Sequence, residues 1–269
     1  MGRLEIDRLL PVTDSPWMKV LFLLGLCMGV AMGEVNDWRS ALEKKAHEKD
    51  DATLLYRSGT VGEGEQLPLV VFLHGAGERG EDNEEQLKHG VKDLVAWCTK
   101  EKVACRILVP QCPKNSWWSH LDGNFKKPEE VEMNPEPSPA MVQVFAVVDG
   151  MVAAGGVDAA RIYVTGLSMG GYGSFDAVCR RPEFFAAAIP VCGGGDPDQA
   201  AAIKAVPMWV FHGGKDKVVP PEMSRAMVEA VKEAGGGAKY HEYPQAGHDS
   251  WSATYANPEV WKWLFAQKK

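Results

Sequence analysis

Residues 161–173 read RIYVTGLSMGGYG, and this stretch decides the fold. The apolar run at its start predicts a strand, and the residues after the serine can continue as a helix. Between strand and helix, Ser168 stands in a G-x-S-x-G pattern with Gly166 and Gly170 on either side. Glycine is used there because larger flanking side chains would collide in a tight turn. The stretch therefore predicts a nucleophile elbow, in which a serine hydroxyl is exposed above a sheet edge.

A serine hydroxyl is a weak nucleophile that needs a base beside it, and the base needs an orienting partner. In chains with a nucleophile elbow the acid follows the serine, and the histidine follows the acid. Asp216 lies a few residues beyond the apolar run 208–211, and His248 follows the short predicted strand 239–243. The sequence therefore predicts Ser168 as the nucleophile, Asp216 as the acid and His248 as the base.

Three other carboxylates compete for the place of Asp216. Asp249 is adjacent to His248, but adjacent residues rarely present their side chains to each other in the required way. Asp196 and Asp198 follow an earlier predicted strand and are weaker alternatives. We therefore prefer Asp216 as the acid.

Only one of the seven histidines, His248, has both the chain order and the loop context of a catalytic base. His74 and His212 each end a predicted strand in a His-Gly pair, and we expect them to shape loops. His120 lies in an irregular stretch and is a candidate for contact with a substrate.

Acyl transfer also requires two N–H groups that stabilise the negative charge developing on the carbonyl oxygen. One is the backbone N–H of Met169, directly after the serine. The other is assigned to Ala76, in the sequence HGAGERG at residues 74–80, which follows the apolar run 69–73. A phosphate-binding glycine loop is excluded because no Gly-Lys-Ser/Thr follows.

Short apolar runs alternate with helical patterns along the chain. The runs lie at 69–73, 106–109, 161–165, 185–191 and 208–211. This alternation predicts an α/β fold with a mainly parallel sheet flanked by helices on both faces. In such sheets the site lies at the carboxyl ends of the strands, where the candidate residues fall.

One stretch, residues 113–137, breaks this alternation. It is rich in Pro, Glu, Lys and Trp and has no clear period. We expect a long surface insertion near the sheet edge that faces the substrate.

Composition limits the class of partner. The chain has 269 residues, of which 45% are hydrophobic, so it is long enough for one large core. Its net charge is −7 and it has no Lys/Arg cluster, so we expect no nucleic-acid partner. The His and carboxylate spacings match no common metal motif, and we expect neither a metal nor another cofactor.

The beginning of the chain resembles a secretory leader. Residues 18–33 contain Lys19, an apolar run, and Ala31-x-Gly33 before the expected cut. We predict an extension and signal peptide over 1–33, a single domain over 34–269 and a secreted or periplasmic protein. The alternatives are a membrane-anchoring helix or a buried apolar helix; after cleavage we expect no stable membrane span. Met18 is an alternative start.

Five cysteines lie beyond the leader: Cys98, Cys105, Cys112, Cys179 and Cys192. An exported protein would pair some of them in one or two disulfides, whereas buried thiols are the equal alternative. The sequence does not give the pairing.

Several strings together resemble one known family. Residues 73–80 (LHGAGERG), 110–113 (PQCP), 161–173 and 212–216 (HGGKD) resemble the phospholipase/carboxylesterase-like α/β-hydrolases, including exported predicted peptidases and feruloyl-esterase-like members. The resemblance covers roughly residues 50–268. It implies the same triad and the same oxyanion donors.

Three tryptophans are candidates for substrate binding. The resemblance implies that Trp117 and Trp118, in the loop after PQCP, wall the acyl pocket. Trp251, close to His248 in the chain, suits a sugar or aryl ring.

The leading hypothesis is a serine esterase acting on small acyl or aryl esters, of feruloyl or acetyl type, on carbohydrate. The substrate partner is then a small-molecule or polysaccharide-linked ester, and the oligomeric state is open. The alternatives are a peptidase of prolyl-oligopeptidase type and a non-catalytic carbohydrate-binding protein on a hydrolase fold.

Overall fold

In the described part of the chain, ten strands build the sheets. The computed structural model describes residues 37–49 and 52–269, so the predicted leader lies outside the described residues. The strands are β1 (Leu42–Lys49), β2 (Ala52–Val61), β3 (Leu67–Leu73), β4 (Cys105–Gln111), β5 (Leu121–Gly123), β6 (Val131–Met133), β7 (Val157–Leu167), β8 (Ala187–Val191), β9 (Trp209–Gly213) and β10 (Lys239–Tyr243).

Eight of these strands form one sheet in the order β1-β2-β4-β3-β7-β8-β9-β10. β2 runs antiparallel to both of its neighbours, and the strands from β4 to β10 in this order pair in parallel. The prediction of a mainly parallel sheet is confirmed. β5 and β6 form a separate antiparallel hairpin.

Among residues 37–49 and 52–269, seven α-helices accompany the sheet: α1 (Val91–Glu101), α2 (Pro139–Ala153), α3 (Met169–Arg180), α4 (Ala200–Ile203), α5 (Glu222–Glu233), α6 (Trp251–Ala256) and α7 (Pro258–Phe265). Within the described ranges, none of them combines the length and the hydropathy that a bilayer crossing needs.

The helices cover both faces of the sheet, and strand β3 shows how. Leu69, Val71 and Leu73 belong to the hydrophobic core that contains residues of α2 to α5. Val70 and Phe72 belong to the core that contains residues of α1, α6 and α7. Successive side chains of a strand point to opposite faces, so a continuously apolar strand serves two cores.

Two helices begin at residues whose side chains cap them. Ser138 caps α2 by accepting a hydrogen bond of 3.0 Å from the Met141 N–H, and Pro139 occupies the first helical position. Asn257 does the same for α7 with the N–H of Glu259 at 3.0 Å. Both caps satisfy N–H groups that lack partners within the helix.

Five parts of the fold were not predicted: α1, α4, α6, β1 and the β5–β6 hairpin. β1 reads LEKKAHEK, and six of its eight side chains are exposed. Charged side chains on an edge strand protect it from pairing with other chains, and they also hide it from a search for apolar runs. The hairpin lies inside the stretch 113–137, which is therefore not wholly irregular.

All five cysteines beyond the predicted leader are buried, and none of them forms a disulfide. The sulfurs of Cys98 and Cys105 lie 3.5 Å apart, which is a thiol–thiol contact.

Candidate active site

Ser168 is held in a strained backbone conformation between β7 and α3. Its φ is 52° and its ψ is −115°, which is rare for a residue with a side chain. The turn is packed so tightly that a Cβ on Gly170 would lie 2.0 Å from the carbonyl oxygen of Leu73. A Cβ on Gly166 would lie 2.4 Å from the carbonyl oxygen of Gly170. Both glycines of the motif are therefore required by backbone contacts.

Three side chains that follow β7, β9 and β10 meet in a hydrogen-bonded chain. His248 Nδ1 lies 2.7 Å from Asp216 Oδ2, and His248 Nε2 lies 2.9 Å from Ser168 Oγ. The carboxylate can only accept, so Nδ1 carries the proton and Nε2 is free to accept from the serine hydroxyl. The geometry is the one in which His248 can take a proton from Ser168.

The carboxyl group of Asp216 is buried and fully hydrogen-bonded. Burial raises its pKa, but hydrogen bonds from His212, His248 and the backbone outweigh burial and hold the pKa well below the usual range. Oδ1 accepts the N–H groups of Val218 at 2.8 Å and Val219 at 3.0 Å. The carboxylate therefore stays ionised and fixed in orientation at neutral pH.

The competing acids are used elsewhere. Asp249 accepts hydrogen bonds from the N–H and hydroxyl of Ser252, at 3.1 and 3.0 Å. Asp196 accepts the N–H groups of Met133 at 3.0 Å and Asp198 at 2.9 Å. The structure thus brings Asp216, and none of the three alternatives, to the imidazole.

Behind Asp216 lies a second buried histidine, His212, at the end of β9. Its Nε2 lies 3.0 Å from the carbonyl oxygen of Val219 and 3.3 Å from Asp216 Oδ2. Both atoms are acceptors here, so Nε2 carries a proton. Its Nδ1 lies 2.7 Å from Ser224 Oγ on α5, and the same hydroxyl oxygen lies 2.8 Å from the carbonyl oxygen of Gly193. The expectation that His212 shapes a loop accounts for part of this arrangement, but the link to Asp216 was missed.

The loop after β3 carries the Ala76 N–H and is held by His74. His74 Nδ1 donates to the carbonyl oxygen of Gly75 at 2.6 Å, and Nε2 accepts the N–H of Cys112 at 2.9 Å. Burial lowers the pKa of His74 to about 4, so the ring is neutral at neutral pH. Within residues 37–49 and 52–269, neither the Ala76 N–H nor the Met169 N–H has a backbone acceptor, and both remain available.

The three tryptophans occupy different environments. Trp117 is exposed, and the Arg79 guanidinium lies 5.0 Å from its ring centre. Trp251 is half-buried and meets the His248 ring edge-on, with ring centres 5.2 Å apart. Trp118 is fully buried, and its indole N–H donates to the carbonyl oxygen of His74 at 3.0 Å. Contact with substrate stays a prediction for all three, and the structure gives Trp118 a packing role.

His120, the histidine of the insertion, is used internally. Its Nδ1 bonds to the carbonyl oxygen of Glu136 at 2.8 Å, and its backbone N–H donates to Asp176 at 3.2 Å. The first bond joins two residues of the insertion, and the second attaches the insertion to α3.

Among the residues that the structure describes, one set of side chains has the spacing to hold a metal ion. The ligand atoms of Cys192, Asp216 and His248 lie within 4.8 Å of one another. However, Asp216 and His248 are bonded to each other, and burial raises the pKa of the Cys192 thiol, which disfavours the thiolate that metals prefer. The hydrogen-bonded chain to Ser168 explains this cluster.

A mainly parallel sheet covered by helices on both faces, with a serine at a strand–helix turn, defines an α/β-hydrolase. The family model of the phospholipases and carboxylesterases matches residues 60–257, and the chain belongs to this family. It is therefore a hydrolase of the carboxylesterase type, and the resemblance drawn from the sequence strings is confirmed.

Several known proteins are similar to the chain. It is 26% identical over 195 residues to a probable carboxylesterase of Oryza sativa subsp. japonica, covering 66% of this chain and 80% of the rice protein. It is 25% identical over 201 residues to the carboxylesterase SOBER1 of Arabidopsis thaliana, covering 67% and 82%.

A thermostable esterase of known structure shares 38% identity with the chain, with a TM-score of 0.76. That alignment covers 86% of this chain and 64% of the esterase, so the chain spans less than two thirds of its length. A ferulic acid esterase shares the fold at 17% identity, with a TM-score of 0.61 over 84% of this chain and 98% of that one.

Proposed function

We propose that the chain is a serine esterase that cleaves carboxylic esters through an acyl-enzyme intermediate. The observation that carries this proposal is the continuous chain from Asp216 through His248 to the hydroxyl of Ser168, with bonds of 2.7 and 2.9 Å. Family membership and the similarity to a thermostable esterase support ester bonds as the target.

In the proposed reaction each of these groups has its own role. Ser168 Oγ attacks the ester carbonyl as His248 Nε2 takes its proton. The backbone N–H groups of Met169 and Ala76 stabilise the oxyanion, and Asp216 holds the imidazolium. His248 then protonates the leaving alcohol, and a water molecule activated by the same imidazole releases the acyl group.

For the substrate, we propose small acyl or aryl esters, of feruloyl or acetyl type, carried on carbohydrate. Trp117 lies beside Arg79 of the loop that carries Ala76, and Trp251 lies beside His248. Flat aromatic side chains suit the face of a sugar or aryl ring. The leader-like residues 18–33 support a secreted or periplasmic location, which N-terminal sequencing of the protein from a cell envelope fraction would test.

Hydrolysis of p-nitrophenyl acetate and butyrate tests the reaction. Ser168→Ala is expected to lower kcat by several orders of magnitude, because the nucleophile is removed. A fluorophosphonate probe should label the wild type at Ser168 and leave this variant unlabelled. An unchanged rate in the variant, or cleavage of peptides without cleavage of esters, would overturn the proposal.

Two aspartates offer a matched pair of variants for the acid. Asp216→Asn removes the acceptor for His248 Nδ1–H and is expected to lower kcat about 10⁴-fold. Asp249→Asn, one residue from His248 but bonded to Ser252, should change kcat by about twofold or less. A large loss in the second variant alone would assign the acid to Asp249.

A further inference from the structure

Three large hydrophobic side chains are exposed in the part of the chain that the structure describes. Trp117 is 54% exposed, Phe125 is 43% exposed and Val218 is 61% exposed. Single exposed apolar side chains are common on any surface, so their placement decides whether they have a function. Each of these three lies on, or packs against, an element that supplies a group of the proposed site.

Phe125 connects the β5–β6 hairpin to the nucleophile. Its ring meets the Tyr172 ring edge-on, with ring centres 5.6 Å apart, and the Tyr172 hydroxyl donates to the Phe125 carbonyl oxygen at 3.4 Å. Tyr172 lies on the first turn of α3, and its N–H donates to the carbonyl oxygen of Ser168 at 3.1 Å. Phe125 is thus one side chain away from the turn that presents Ser168.

Val218 belongs to the loop of the acid. Its N–H donates to Asp216 Oδ1 at 2.8 Å, while its side chain stays in solvent. The next residue, Val219, is buried in a small hydrophobic cluster with Val131 of β6 and Tyr172 of α3. In this cluster the β5–β6 hairpin, the loop that contains Asp216 and helix α3 pack against one another. Phe125 lies on the first of these elements and Val218 on the second.

Trp117 lies beside the loop that carries the Ala76 N–H. The Arg79 guanidinium lies 5.0 Å from the Trp117 ring centre, and its Nε donates to the carbonyl oxygen of Ala76 at 3.0 Å. A second nitrogen of Arg79 donates to the carbonyl oxygen of Ser116, the residue before Trp117, at 3.3 Å. The indole is therefore fixed relative to the Ala76 N–H.

We propose that Trp117, Phe125 and Val218 form an apolar rim that binds an aromatic or extended apolar acyl group of the ester. This inference rests on the proposed esterase function and deepens it. The rim can remove apolar surface of such an acyl group from water, whereas an acetyl group is too small to reach it. Acyl groups of the cinnamoyl or hexanoyl type are then preferred over acetyl.

The test compares methyl cinnamate, methyl hexanoate and methyl acetate in a pH-stat assay. Phe125→Ala and Trp117→Ala are each expected to lower kcat/KM about tenfold on the two large esters, as the loss of a ring contact would. Methyl acetate should change by about twofold or less in the same variants. Lys126→Ala, at the exposed residue beside Phe125, should change none of the three.

The outcomes separate the rim from the esterase proposal. If the wild type cleaves all three esters with Ser168 and the rim variants lose equally on each, or lose nothing, the rim is overturned. If the wild type cleaves no ester at all, the esterase proposal itself fails. Val218→Ser supplies a variant of a largely exposed residue should Phe125→Ala fail to fold, and it should show the same selective loss on the large esters.

Discussion

At the scale of single residues, the site depends on which nitrogen of each histidine carries a proton. The Asp216 carboxylate accepts hydrogen bonds from two imidazoles and two backbone N–H groups. Donors from several loops therefore fix the orientation of this carboxylate. His248 was predicted from chain order and its loop context. The link from His212 to Asp216 could not be predicted, because Ser224 reaches His212 only when α5 packs beside β9.

His212 offers a test of positioning behind the acid. His212→Leu removes the Nε2–H that faces Asp216 Oδ2. We expect it to lower kcat about tenfold with KM nearly unchanged, which is the size of effect typical of a residue that orients another functional side chain. His212→Gln keeps an N–H donor and should recover most of kcat. Steady-state kinetics on p-nitrophenyl butyrate, with thermal melts as the control for folding, checks both variants. Equal losses in the two variants would show that His212 serves packing alone.

His74 predicts how stability depends on pH. Its pKa is about 4 in the folded chain and about 6.5 when exposed, so the unfolded chain binds a proton first as the pH falls. The contribution of His74 to the free energy of unfolding is therefore fully present above pH 6.5 and is lost as the pH falls toward 4.

Between pH 7 and pH 5 this loss amounts to about 2 kcal/mol. Urea unfolding of the wild type and of His74→Gln at both pH values measures it, because the other titrating groups cancel in the comparison. The variant should lose about 2 kcal/mol less than the wild type over this interval. Equal losses in the two proteins would mean that His74 is not held neutral.

At the scale of elements, the predictable parts are those whose local sequence admits one conformation. The elbow is one, because a Cβ at Gly166 or Gly170 would strike backbone atoms. α2, with Ser138 before a proline, is another. The β5–β6 hairpin is of the opposite kind, since its strands are three residues long and depend on Val131 packing against Tyr172. No local period marks such an element.

Gly123 controls the hairpin. Its φ is +100°, and a Cβ there would lie 1.7 Å from the carbonyl oxygen of Glu130, so Gly123→Ala must open the β5–β6 pairing. Trypsin should then cut faster after Lys126, which lies between the two strands. Limited proteolysis followed by mass spectrometry of the fragments checks this.

Gly150→Ala is the matched control, because a Cβ at this position in α2 meets nothing within 4 Å. It should leave the rate of cleavage unchanged and stabilise the chain by about 0.5–1 kcal/mol through the lower entropy of the unfolded state. Unchanged cleavage in Gly123→Ala would contradict the assigned role of Gly123.

At the scale of the whole molecule, one sheet separates two hydrophobic cores and gathers the site at one edge. β3, β7, β9 and β10 run in the same direction, so the residues that follow them meet although they are far apart in the chain. This explains why the order of Ser168, Asp216 and His248 in the sequence was enough to predict that they act together. The sequence alone did not show which exposed side chains border them, because the insertion is placed by tertiary packing.

Because the two cores are separate, we expect side-chain truncations in them to have additive effects on the free energy of unfolding. Val144 on α2 is buried in one core and Leu264 on α7 in the other, and the sheet lies between them. Val144→Ala and Leu264→Ala should each lower the free energy of unfolding, the second by roughly 2–5 kcal/mol, because each removes methyl groups and leaves a cavity. With no shared neighbours, the double variant should lose the sum to within about 0.5 kcal/mol. Urea unfolding of the four proteins measures this, and a coupling above about 1 kcal/mol would show that the sheet transmits strain between its faces.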